Sequence, residues 1–135
     1  MRNTIIAVFI AFTLFGCTDN KSVEKSLLND VMKIHDKVMG ADGRLMDNKL
    51  KLDTLLKQDK LAGKDTVKML IIRLAAADSE MDAWMNNFKS EYKGKTDDET
   101  VTYMSNQKKK IMTIDSQISA VVAESNKYLN KIKRK

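Results

Sequence analysis

"MGADGR", residues 39–44, reads locally as a turn, with two glycines and an aspartate inside six residues, and whether the chain reverses there decides between four helices and three. The answer lies in the apolar residues on either side. Leu27, Val31, Ile34, Val38, Ala41, Leu45, Asn48, Leu52 and Leu55 follow one another at alternating spacings of four and three, and that phase passes through both glycines unbroken. A hairpin has no reason to preserve it. The pattern therefore predicts one helix, capped at Ser22 and running to about Asp59, weakened or kinked near Gly40 and Gly43 at a cost of about 1 kcal/mol per glycine.

Beyond that helix, "DKLAGKD" is the first real break, with Gly63 placed to end one helix and Asp65 to cap the next. Val67, Leu70, Leu74, Ala77, Met81, Trp84 and Phe88 then form an apolar stripe that predicts a second helix ending near "EYKGK", where Gly94 permits a turn. "TDDE", residues 96–99, reads as a capping box opening a third helix with acids in its first turn. That helix buries Met104, Ile111, Ile114, Ile118, Val121, Tyr128 and Ile132, with Asn48 and Lys108 interrupting otherwise apolar seams. No proline occurs anywhere. Helices of about 38, 26 and 36 residues joined by short connections imply an all-α, antiparallel up-down-up three-helix bundle packed at about 20°. The alternative is a four-helix bundle broken at Gly40–Gly43.

The only cysteine, Cys17, makes an internal disulfide impossible. Arg2 is followed by a charge-free stretch, residues 4–15, of the length of a signal-peptide apolar region and short of the about 20 residues a membrane span needs. Leu14-Phe15-Gly16-Cys17 closes it and resembles the lipobox of bacterial lipoproteins. The resemblance implies cleavage after Gly16 and acylation of Cys17, which becomes the new N-terminus. Two or three acyl chains hold a protein permanently, each buried methylene contributing about 0.8 kcal/mol. The chain thus divides into a signal peptide (1–16), a lipidated tether (17–21) and a helical domain (22–135).

Charge and composition narrow the partners. The chain carries 24 Lys and Arg against 18 Asp and Glu, a formal +6. Loss of Arg2 with the leader makes that +5. For an exported protein such a surplus suits anionic lipid or cell-wall polymer and not nucleic acid. Thr18 follows the cysteine where an aspartate would signal inner-membrane retention, so the expected location is the periplasmic face of the outer membrane, with an envelope protein, a cell-wall polymer or a second copy as partner.

Candidate chemistry is sparse. His35, the single histidine, shares a helical strip with Met32 and Met39, and further along with Met46. These are soft to borderline donors that would suit Cu(I) outside the cytoplasm. A haem held by His35 and a methionine is a weaker form of the same alternative, and covalent attachment is excluded because no C-x-x-C-H occurs. The competing account has the methionines filling gaps between helices. No catalytic residue is assigned. Asp36 follows His35 directly and points about 100° away on a helix, while Asp78, Glu80 and Asp82 alternate with the apolar stripe and are most simply solvated. No cofactor is expected, and Trp84 belongs to the core stripe. At the other end, Lys131, Lys133, Arg134 and Lys135 crowd around Ile132. They suit the helix C-terminus electrostatically and form a candidate contact for an anionic surface.

Three strings, "VMKIHDKVM" (31–39), "AAADSEMDAWMNNF" (75–88) and "IDSQISAVVAESNKYL" (114–129), resemble a group of small bacterial lipoproteins often labelled viral A-type inclusion proteins, a label that reflects long-helix similarity and implies no viral role. The resemblance spans most of the mature chain. It implies an exported all-helical lipoprotein and supplies no activity, cofactor or catalytic residue.

Overall fold

Gly40 and Gly43 do not break the first helix. In the computed structural model, which describes residues 19–58 and 63–134, α1 (Asn20–Leu56) runs through both as 37 residues of continuous helix. Neither glycine takes a positive φ, and a Cβ at either would meet nothing within 4 Å. The reason the helix persists is a matter of magnitudes. Two glycines cost about 2 kcal/mol together, whereas Val31, Val38, Leu45 and Leu52, all buried, each contribute about 1.5–3 kcal/mol only if the phase is kept.

Two further helices complete the described fold, α2 (Lys64–Asn87) and α3 (Asp97–Lys133), so the structure is all-helical with three helices and the four-helix alternative is not adopted. Several boundaries differ from expectation. α1 is capped at Asp19 and not Ser22, because Ser22 already donates its backbone N–H to Asp19 O at 2.9 Å. Asn20 Nδ2 also reaches Asp98 Oδ1 at 2.8 Å, tying the first turns of α1 and α3 together. Gly63 (φ 82°) begins α2 instead of ending α1, while Asp65 sits inside the first turn, where its charge still complements the helix dipole.

The end of α2 is the largest departure. Helical geometry stops at Asn87, and Phe88 is extended (φ −71°, ψ 134°). Phe88 stacks on Trp84 at 4.8 Å, and the next backbone N–H, that of Lys89, donates to Tyr103 Oη at 2.8 Å. Chain reversal is completed through Gly94 (φ 75°). The capping box at α3 is present in full: Glu99 N–H donates to Thr96 Oγ1 and Thr96 N–H to Glu99 Oε2.

α1 and α3 run parallel in one fixed register. Asn20–Asp98, Asp30–Lys108, Lys37–Asp115 and Asn48–Asn126 all pair across the same sequence separation of 78. An offset that does not drift from the first turn to Asn48 means two equally wound helices side by side. α2 lies against both in the opposite direction, with Trp84 beside His35 near its end and Arg73 ion-paired to Glu124 in its first half. At 1.5 Å per residue its 24 residues span about 36 Å against about 55 Å for the others.

Facing two neighbours, α3 buries more than one stripe. Val122, Ser125 and Leu129 join the expected residues inside, while Tyr128 and Ile132 are half-buried. Lys108 does not interrupt the seam. It is half-buried at the edge, 2.6 Å from Asp30 Oδ2, and Gln107 occupies the interior position. Asn48 does lie in the core, donating to Ser125 Oγ (2.9 Å) and Asn126 Oδ1 (3.0 Å).

Candidate functional site

The strip of α1 just outside the core carries the features that packing does not explain. Met32, Met39, Met46 and Leu50 lie on it and are 40–67% exposed, whereas the core methionines Met81 and Met104 are 4% and 0% exposed. The spacing of seven between Met32, Met39 and Met46 holds them on one side of a supercoiled helix. These three therefore border the core, with a little over half of each residue covered, while Met81 and Met104 lie within it.

His35 sits between Met32 and Met39 on the inner border of the strip, its side chain 22% exposed. Two contacts orient its ring. Nδ1 lies 3.2 Å from Asp36 Oδ1, so the neighbour that helical geometry was expected to turn away does reach back to the imidazole. The ring also faces Trp84, with centroids 6.0 Å apart and planes tilted 35°. Trp84 is buried, as its stripe predicted, and its indole N–H donates to Gln107 Oε1 at 3.0 Å. An anchored aromatic side chain thus stands on one side of His35.

From Trp84 the aromatic contacts continue. Phe88 stacks on Trp84, Tyr103 lies beyond Phe88 at 6.5 Å, and Tyr92 stacks on Tyr103 at 4.3 Å with planes only 4° apart. This ladder closes the end of the bundle that α2 is too short to cover. Sequence reasoning missed it, although the signal was there: Trp84, Phe88 and Tyr92 are spaced by four, which reads as a helix face and in fact crosses a helix end.

The acidic residues do not assemble a reactive pair. Asp78 is held above the ordinary carboxylate range, first by burial and then by Asp82 and Asp42, with Lys49 opposing. Glu80 and Asp82 are exposed, and among the described residues no three His, Cys, Asp or Glu side chains converge as metal ligands do. Nor is any described helix long and apolar enough to cross a membrane.

At the far end, Lys131 and Lys133 occupy the last turn of α3 and Arg134 follows as its C-cap, all exposed. They divide between two faces. Lys131 and Arg134 border a shallow surface with Asn126 and Asn130, whereas Lys133 edges an apolar groove formed by Leu50, Leu55, Leu129 and Ile132. Cys17 and Lys135 lie outside the described residues.

Comparison with protein-family models, with curated proteins and with solved structures finds no match to this chain.

Proposed function

We propose that this protein is a lipid-anchored, non-enzymatic module of the bacterial cell envelope, tethered through acylated Cys17 to the periplasmic face of the outer membrane. The observation that carries the reading is Leu14-Phe15-Gly16-Cys17 at the end of a charge-free run. On this reading α1, which begins at Asn20 three residues after the cysteine, starts close to the bilayer surface. A bundle attached so closely projects from the bilayer as a rod of about 55 Å. Parallel packing of α1 and α3 then carries the basic C-terminal turn to the distal end, toward cell-wall polymer or an envelope protein.

Fractionation of cells expressing Cys17→Ser tests the anchor. The wild type should sediment with outer-membrane density and the variant should appear in the soluble fraction. Equal membrane association of the two would refute the lipid assignment.

A further inference from the structure

The geometry points to a site for a soft monovalent cation, Cu(I) or its analogue Ag(I), formed by the thioethers of Met32 and Met39 and Nε2 of His35, with the Trp84 indole beside it. This inference goes beyond the envelope-module reading and is independent of whether Cys17 is acylated.

Spacing supplies the first reason. His35 is three residues after Met32 and four before Met39, so each thioether stands one turn from the imidazole on the same helix face, where neighbouring Cβ atoms are about 5–6 Å apart. Three rotatable bonds let each methionine close on an ion without moving the backbone. Exposure supplies the second. Met32 and Met39 are 40% and 41% exposed, so an ion can reach both thioethers from solvent without opening the core.

The imidazole is also oriented in the way a ligand is. Asp36 Oδ1 accepts from Nδ1 at 3.2 Å, which assigns the proton to Nδ1 and leaves the lone pair on Nε2. Nε2 has no hydrogen-bond partner among the described residues. A carboxylate behind the far nitrogen of a histidine is the usual support for metal ligation, fixing the tautomer and raising the donor strength of the other nitrogen. Lys37, the cation next to Asp36, is drawn away to Asp115 Oδ2 at 2.7 Å and so does not oppose a positive charge at this point.

Donor type sets the ion. Two thioethers and one imidazole favour a soft ion, and hard divalent ions want oxygen ligands that do not converge here. Trp84, held in place by Gln107, has its ring centroid 6.0 Å from that of the imidazole, near enough for an ion on His35 to quench its emission. Because Trp84 is the only tryptophan, its emission reports on this place alone.

The test is a titration of the protein in mild detergent, with Cu(I) supplied anaerobically from a competing chromophoric chelator and, separately, with Ag(I). One equivalent should bind and quench tryptophan emission. Met32→Leu and Met39→Leu keep volume and helix propensity at exposed positions, so both should fold as the wild type does, and the double variant should lose the bound ion and the quench. His35→Gln should lose them too, and Asp36→Asn should weaken binding by about tenfold. No competition with the chelator, a quench that survives in the Met32/Met39 double variant or in His35→Gln, or displacement of Cu(I) by an equal concentration of Zn(II) would each overturn the proposal.

Discussion

Asn48 is a polar residue in a place built for an apolar one, and what it does there is set by hydrogen bonds across the helix interface. Its amide donates to Ser125 Oγ and Asn126 Oδ1, both on α3, while Ser125 Oγ donates onward to Val122 O at 3.0 Å. A leucine would bury more apolar surface. The asparagine instead makes one alignment of α1 against α3 better than any slipped one, since a shift by a turn leaves its amide buried and unpaired at about 1–3 kcal/mol. Asp78 shows the opposite balance. Burial and the carboxylates of Asp82 and Asp42 raise its pKa above the usual 3.8, so the folded protein holds this proton more tightly than the unfolded chain does. Ionised Asp78 therefore costs stability at neutral pH, and the cost disappears as pH falls below 3.8, where the group is protonated in both states. Asp78→Asn should raise the melting temperature at pH 7, and the gain should shrink to nothing on acidification. Thermal unfolding of both proteins across that range checks it, and a gain independent of pH would show that charge is not the cause.

At the scale of the element, α1 retains two glycines that its fold does not use. Both adopt helical φ, and a side chain at either would enter open space. Gly40→Ala and Gly43→Ala should therefore each stabilise the protein by about 0.4–1 kcal/mol, and together by nearly twice that, measured by urea unfolding. A loss of stability in either would show that α1 is bent there in a way alanine resists. The same stretch explains what was legible. α1 could be read through its glycines because Val38, Ala41 and Leu45 keep one phase, and periodicity reports tertiary burial more directly than local turn propensity does. The start of α3 was legible because a capping box is a local device, confirmed by Thr96 and by Glu99, whose carboxyl the Thr96 backbone N–H holds below its ordinary range. The end of α2 was not, because Phe88 leaves the helix for partners on another element, Tyr103 among them, and no spacing within α2 encodes that. Of the candidate site, the line of Met32, His35 and Met39 was visible, but the exposure of the methionines and the approach of Trp84 required the packed bundle.

On the scale of the whole molecule, the constant offset between α1 and α3 turns sequence position into height. Any residue of α3 stands level with the α1 residue 78 before it, so the basic turn at Lys131–Lys133 lies beside the end of α1, the full length of the rod from Asn20. Some of that charge is accounted for by helix-end electrostatics, worth about 0.3–1 kcal/mol per cation. That account predicts an effect on stability and none on binding. Distal placement predicts more, because an outer-membrane anchor would present Lys131, Lys133, Arg134 and Lys135 to the anionic cell wall and hold them away from the protein's own bilayer. Retention on purified cell wall should then be strong at low ionic strength and fall at 1 M salt, where the screening length is about 3 Å. Replacing the four cations by glutamine, which keeps helix propensity and length, should abolish retention at low salt while lowering the melting temperature only slightly. Retention unchanged by the substitutions or indifferent to salt would leave helix-end electrostatics as the whole explanation of the cluster.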